Sequence, residues 1–544
     1  MEIGYHLALD LFICAEKFKS QPRFFLSEGK SFKPISWKEY VDKVKKIAGF
    51  LISTNINTQD KVSILGQNSF NWCITHLGIQ TVRGVMVPIY PASQPDLVEY
   101  FLDHSDSKIL FCDSNFIKSI SNIKLAQVEK IIVLDDIIPE NKLSIEVTKF
   151  SDALSIGEKY LAQVEEKIKE VSNKDIATII YTSGTTGLPK GVMLTHENLQ
   201  SSSENWINLN SKYIPEHAVD LHWLPLSHTF GSGAIMLGNR LGWQSYMVNH
   251  KDLIEKIKEV KPHVFLSVPA YWEKLYNLMQ SCGTDMKEAF ATITGGRLIF
   301  GLSGGAGLKK EIKQGYHDVG LTIIEGYGLT ECSPTLTMNR MDSFNFDSVG
   351  LPYPNVDVKL AEDGEILAKG ANIFLGYYKD EESTKNTFDE NGWFKTGDIG
   401  RWIDKEGGFL QIIDRKKEIL VTSGGKNVPP QNIERMFQDN TLINHFVVYG
   451  DGKKYLTALI TINEDEAKKQ LNKDVSLDSP ELKNLVKSQV EEVNKKLASY
   501  ESIKDFWICP KQLSVEDNLL TSSLKIRRKA IYERYKNELE SLYK

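Results

Sequence analysis

Cysteine is scarce and scattered: Cys14, Cys73, Cys112, Cys282, Cys332 and Cys509 are the only six in 544 residues, and no two form a C-x-x-C pair. Such spacing favours neither a zinc site nor a disulfide framework, and it makes the reducing cytosol the expected compartment. No apolar run reaches the length of a membrane span. The N-terminal stretch carries Glu2, Asp10 and Glu16 among its apolar residues, so it lacks the basic start and unbroken apolar core of a secretory leader. Peripheral contact with a membrane stays open. Charge of one sign is also missing: 65 Lys and Arg against 71 Asp and Glu leave a formal charge of −6. With no basic field, a nucleic-acid partner is not expected. Internal repeats and low-complexity tracts are absent as well.

What remains is an ordinary globular composition, 41% hydrophobic and 25% charged. At this length one core is not enough, so two or more structural units are expected. From Ser36 to about Asp175, helix-like segments alternate with short apolar runs at Val62 to Leu65, Val85 to Ile89, Ile109 to Cys112 and Ile131 to Leu134. That rhythm predicts α/β layers with largely parallel sheets. It resumes with candidate strands at His222 to Leu224, Gln244 to Val248, Val264 to Val268, Leu298 to Leu302 and Leu321 to Ile324. Beyond Gly350 the texture shifts to short strands with turn signals at Asp363-Gly364, Asn391-Gly392 and Glu406-Gly407-Gly408, as in a small antiparallel subdomain. The last stretch holds a helix near Asn432 to Phe437 and a hairpin signal around Asp451-Gly452.

The most telling segment is Tyr181 to Gly191, which follows the apolar run Ile176 to Ile180. Its three glycines let the backbone approach a ligand closely, while Thr182, Ser183, Thr185 and Thr186, with Gly184 between them, add hydroxyl donors to free amides. That makes a cradle for phosphate oxygens, with Lys190 as a positive charge at its end. A Walker loop would need Gly-Lys-Ser/Thr, whereas Lys190 is followed by Gly191, so a P-loop kinase or ATPase is disfavoured. The segment closely resembles the phosphate-loop signature of the adenylate-forming superfamily, which contains acyl-CoA synthetases, luciferases and peptide-synthetase adenylation domains.

Other stretches carry the same resemblance and imply further roles. His228, in Leu224 to Gly231, would line the acyl pocket beside the substrate carboxylate. Gly304, Gly305 and Ala306 would lie against adenine; their spacing does not match a dinucleotide fingerprint. In Glu325 to Glu331, Tyr327 would stack on adenine, Thr330 would reach the α-phosphate and Glu331 would be an oxygen ligand for Mg²⁺. Asp398 resembles the ribose-binding Asp, Arg415 a second ribose contact, and Lys417 the pivot between domains. Lys525 stands at the place of the catalytic lysine, although Ser522 and Leu524 replace the Pro and Gly common around it.

The family implies a large N-terminal domain of layered α/β sheets with the antiparallel subdomain, residues 1–413, a hinge at 414–417, and a small mobile α+β C-terminal domain, 418–544. The expected function is an ATP-dependent, AMP-forming ligase that activates a medium- to long-chain fatty acid and passes it to coenzyme A, with Mg²⁺ as cofactor. Thr422 to Pro430 resembles the long-chain fatty acyl-CoA synthetases more than other subgroups. Two alternatives stay open: an adenylase that loads a carrier protein, and a silent sensor of nucleotide or fatty ligand.

Overall fold

Sheets with helices packed on them build the structure, a computed structural model that describes residues 6–29, 31–140, 143–182, 188–438, 440–472, 476–514, 517–520 and 526–543. The chain forms two compact units. The first comprises Met1–Lys359, Leu367–Thr396 and Trp402–Gln411; the second comprises Leu360–Ile366, Gly397–Arg401 and Ile412–Lys544.

The first unit contains an eight-stranded sheet in the order Gly376–Tyr377, Lys190–Thr195, Ile176–Thr182, Val85–Ile89, Lys61–Leu65, Ser107–Cys112, Lys130–Val133 and Glu146–Lys149. The run from Ile176–Thr182 to Glu146–Lys149 is parallel, and the first two strands are antiparallel additions. Parallel strands covered by helices on both sides read as continuous apolar runs, which is why this sheet is readable in the sequence.

A nine-stranded sheet carries the rest of that unit, in the order Leu351–Pro352, Thr337–Met338, Ile323–Tyr327, Phe300–Ser303, Val264–Ser267, Val219–His222, Gln244–Met247, Pro22–Glu28 and Ser31–Ser36. Its centre is parallel and its two edges antiparallel. The strand expected at His222 to Leu224 runs instead from Val219 to His222. Its acidic residue is what conceals it. Asp220 accepts a hydrogen bond from the Ser245 hydroxyl. Ser245 in turn accepts one from the fully buried Arg23 at 2.6 Å. The Arg23 guanidinium also donates to Asn239 Oδ1 at 2.9 Å and to the Ile235 carbonyl at 3.0 Å, so a buried cation is held without an uncompensated charge.

A four-stranded sheet, in the order Val356–Leu360, Glu365–Gly370, Phe394–Trp402 and Leu410–Arg415, supplies segments to both units. In the second unit, strands Ile443–Tyr449 and Leu456–Ile462 pair antiparallel, and Ile503–Ile508 adds in parallel to the latter. Helix Pro480–Asn494 buries Leu482, Val486 and Val490 in its core. Arg528 is locked there by a two-pronged pair with Glu434, at 2.6 and 2.9 Å. Among the described residues no helix is long and apolar enough to cross a membrane.

Candidate active site

The expected phosphate loop joins two antiparallel neighbours, with Tyr181 opposite Gly191 and Thr182 opposite Lys190. Ser183, Gly184, Thr185 and Thr186 lie outside the described residues; Thr182 and Lys190 bracket them. Lys190 is not a loose charge. Its ammonium bonds to the Ser383 hydroxyl, sits 3.4 Å from Asp380 Oδ2 and lies 5.1 Å from the centre of the Tyr377 ring. Burial alone would raise the Asp380 carboxyl, but hydrogen bonds from Ser383 and the Lys190 ammonium outweigh it and hold it below the usual carboxylate range.

Tyr377 links this cation to the acidic motif. Its backbone pairs with Val192, one strand residue beyond Gly191, and its hydroxyl donates to Glu331 Oε1 at 2.9 Å. Burial, then the neighbouring Glu331 charge, push the Tyr377 phenol well up, so it stays a donor. Two buried amides hold the segment in place. Asn198 donates to the carbonyls of Ala371 and Ile373 at 2.8 and 2.9 Å, and Asn372 to those of Cys332 and Thr335 at 3.1 and 2.9 Å. Lys190, Tyr377 and Glu331 thereby meet, although they come from three separate stretches. Sequence reading missed Tyr377, Asp380 and Ser383; the only signal was the polar turn Gly376-Tyr-Tyr-Lys-Asp380.

Tyr327 ends the strand Ile323–Tyr327, and Thr330, 9% exposed, begins a single turn of 3-10 helix, Thr330–Cys332. Between them Gly328 is forced: a Cβ there would stand 2.0 Å from the Pro334 carbonyl oxygen. Glu325, at the start of the motif, is a structural acid. It pairs with buried Lys313 at 2.5 Å and accepts the Leu308 amide at 2.7 Å, which ties this strand to the end of the glycine turn.

In that turn Gly304 is buried under the Phe230 ring, 3.2 Å from where its Cβ would be, while Gly305, with φ +86°, and Ala306 are exposed. Phe230 belongs to the helix Thr229–Leu241, so the glycine turn and the His228 motif adjoin. His228 is exposed and caps that helix, its Nδ1 accepting the Phe230 amide at 3.2 Å. The small residues after it differ. A Cβ on Gly231 would lie 2.1 Å from the Pro225 carbonyl oxygen, whereas one on Gly233 would meet nothing within 4 Å. Gly231 is therefore a packing requirement, and Gly233 borders open space.

In the second unit, Asp398 is 4% exposed and Arg415 Nε lies 2.9 Å from its Oδ1, so the two residues expected at the ribose are brought together. Next to them Asp414 is buried, which pushes its carboxyl up to about 6, and it accepts the amides of Arg415 and Gln431. Lys417 is exposed in the turn that follows. Lys525 lies outside the described residues; Leu520 and Ile526 on either side of it form an antiparallel bridge.

Among the described residues no cluster of three His, Cys, Asp or Glu side chains is arranged to hold a metal. Mg²⁺ does not need one: it takes one or two carboxylates and completes its shell with substrate phosphates and water. Glu331, joined through Tyr377 to the neighbourhood of Lys190, is a carboxylate of the type such an ion takes.

The chain matches the AMP-binding enzyme family over residues 14–378 and the AMP-binding enzyme C-terminal domain over residues 417–544. It is 30% identical to long-chain-fatty-acid–CoA ligase FadD15 of Mycobacterium bovis, covering 94% of this chain and 92% of that one. It is 28% identical to fatty acyl-CoA synthetase A of Dictyostelium discoideum, covering 96% and 88%. Its fold is shared with solved structures. The anthranilate CoA ligase AuaEII, in complex with anthranoyl-AMP, gives a TM-score of 0.80 at 19% identity, over 99% of this chain and 98% of that one. O-succinylbenzoate CoA synthetase from Bacillus subtilis, in complex with AMP, gives 0.74 at 21% identity, over 96% and 97%. Matches over residues 14–378 and 417–544 establish that the chain belongs to the adenylate-forming, AMP-binding enzyme family.

Proposed function

We propose that the protein is an AMP-forming fatty acid–CoA ligase acting on medium- to long-chain acids. Full-length similarity to proteins of that name carries the reading. In the first half-reaction a carboxylate oxygen of the acid attacks the α-phosphorus of ATP; that P–O bond forms, the bond to pyrophosphate breaks, and acyl-adenylate results. In the second, the thiolate sulfur of coenzyme A attacks the acyl carbon and AMP leaves with the electron pair of the C–O bond. No covalent enzyme intermediate is needed, so catalysis rests on positioning and charge stabilisation.

In this reading the segment from Thr182 to Lys190 holds the β- and γ-phosphates, with Thr185 and Thr186 as hydroxyl donors. Gly304, Gly305, Ala306 and Tyr327 hold adenine, Thr330 the α-phosphate, and Asp398 with Arg415 the ribose. His228 orients the substrate carboxylate, Lys525 acts at the α-phosphate, and residues 414–417 form the hinge between an N-terminal domain 1–413 and a C-terminal domain 418–544. Mg²⁺, held by Glu331 and phosphate oxygens, would neutralise charge on the departing pyrophosphate. Glu331 is itself oriented by the Tyr377 hydroxyl. Lys190 would exchange its Asp380 and Ser383 contacts for phosphate oxygens.

Lys190→Ala should raise KM for ATP about tenfold, the effect of one charged hydrogen bond, and leave KM for the fatty acid unchanged. Steady-state kinetics varying each substrate separately checks this, and an unaltered ATP dependence in a folded variant counts against the phosphate role.

Chain length is proposed to be read beside Gly233. Each buried methylene adds roughly 0.8 kcal/mol, so a deep pocket favours long acids. Gly233→Trp should shift preference toward short acids, while Gly231→Ala should lower thermal stability because of its clash with Pro225. Pyrophosphate exchange into ATP over a panel of acids, with and without coenzyme A for AMP release, tests the whole reading. Preference for acetate or an aromatic acid, or AMP release indifferent to coenzyme A, would overturn it.

A further inference from the structure

The helix Pro95–His104 touches both flanks of the loop segment that begins after Thr182 and ends before Lys190. Midway along it, Tyr100 donates its hydroxyl to the Pro189 carbonyl at 3.0 Å, one residue ahead of Lys190. One turn on, His104 Nδ1 is hydrogen-bonded to the Tyr181 hydroxyl at 2.8 Å, one residue ahead of Thr182. The Tyr181 ring packs 4.6 Å from that of Phe101 and 6.0 Å from that of Tyr100. A third attachment follows the helix: Asp106 accepts the Tyr378 hydroxyl at 2.8 Å, and the Tyr378 amide donates to the Gly191 carbonyl at 2.8 Å.

The helix is a rigid base for these contacts. Val98, Phe101 and Leu102 are buried against Leu65 and Ile89, at the ends of two parallel strands. Behind it the buried Ser105 and Ser107 hydroxyls share a hydrogen bond at 2.7 Å, and Ser107 shares another with Ser63 at 2.6 Å. Burial, and then the Lys379 charge, hold the His104 imidazole below its ordinary range, so it meets Tyr181 as a neutral partner.

We propose that this helix is a clamp that sets the spacing and shear of the two strand ends carrying the phosphate loop, which makes Tyr100 and His104 positioning residues for ATP. The inference rests on the phosphate-binding reading of Thr182 to Lys190. The strand pairing of Tyr181 with Gly191 already fixes the ends along the ladder. The clamp adds one body that grips both ends from the side, where a displacement of an ångström would shift Thr182 and Lys190 relative to a bound nucleotide.

The test uses the full-length enzyme with Tyr100→Phe, His104→Ala and His104→Asn, and with Lys190→Ala as reference. Asparagine places a hydrogen-bonding amide where Nδ1 stood. Tyr100→Phe and His104→Ala should each raise KM for ATP, and the Kd of a fluorescent ATP analogue, about five-fold, the effect of one net hydrogen bond. KM for the fatty acid should stay within about two-fold, inside the few tenths of a kcal/mol expected at an independent site. His104→Asn should recover most of the loss. Equal increases in both KM values, or a fall in kcat with ATP binding unchanged, would overturn the clamp. So would an Asn variant no better than Ala. Tyr100→Phe removes a single oxygen from a half-buried ring, so it keeps the test decisive should His104→Ala fail to fold. If Lys190→Ala also leaves ATP binding unchanged, the phosphate-loop reading itself has failed. If Lys190→Ala weakens ATP binding and the Tyr100 and His104 variants do not, only the clamp is wrong.

Discussion

A Lys525→Ala enzyme should make no measurable acyl-adenylate from ATP and fatty acid, yet still convert supplied acyl-adenylate and coenzyme A to thioester. The asymmetry follows from where charge develops. In the first half-reaction two anions, a carboxylate and the α-phosphate, are driven together, and a positioned cation lowers that barrier by several kcal/mol, about a thousand-fold in rate. In the second, a thiolate attacks a carbon already activated by its AMP leaving group, and no new phosphate bond forms. Lys417→Pro is expected to do the converse. Lys417 is exposed in the turn after the strand Leu410–Arg415, where the Glu418 amide donates to the Arg415 carbonyl at 2.9 Å. Proline fixes φ near −65° at the proposed pivot, which hinders rotation more than it disturbs one closed state. The two half-reactions are measured separately, by pyrophosphate exchange and by thioester formation from synthetic acyl-adenylate. Equal loss of both in both folded variants would sink the division of labour.

The second large effect is expected at Glu331. Glu331→Gln keeps the shape and the capacity to accept from Tyr377, but removes the negative charge that suits Mg²⁺. Adenylation should fall about a thousand-fold, equivalent to several kcal/mol of lost charge stabilisation, with thermal stability little changed. Binding of Mn²⁺ as its ATP complex, followed by electron paramagnetic resonance, should weaken in parallel. Tyr377→Phe should give a smaller loss in the same direction, because the carboxylate remains and only its orientation is freed. A nearly active Gln variant would mean that the metal is held elsewhere.

How much of this could be read from residues alone depends on whether the reason was local. The strands Lys61–Leu65 and Val85–Ile89 announce themselves as apolar runs because both faces are covered. The strand Val219–His222 does not, because Asp220 is acceptable there only through Ser245 and Arg23, distant in sequence. The family signature in the glycine and threonine motifs is readable for the same local reason: it lies in consecutive residues. Tyr377 was not. Its place beside Glu331 and Lys190 arises from a two-residue strand in register with Val192 and Met193, and from the two asparagines that hold the segment before it. Gly231 and Gly233 make the same point in one turn of helix. Identical letters two positions apart meet a carbonyl oxygen in one case and open space in the other.

The pairing of Pro22–Glu28 with Gln244–Met247 has a consequence for biosynthesis. The parallel run of the eight-stranded sheet lies wholly within residues 61–182 and can assemble as soon as that stretch has been translated. The N-terminal hairpin can form but cannot be docked so early, because Arg23 finds its Trp243 partner 220 residues further on. At ribosomal rates of 5–20 residues per second that is a delay of about 10–40 s. During it the guanidinium stays in water and one flank of Pro22–Glu28 stays unpaired. Such long-range closure is slow and exposes a strand edge to misassembly. A nascent chain stalled before residue 247 therefore offers holding chaperones an open edge that the finished sheet covers with Gln244–Met247.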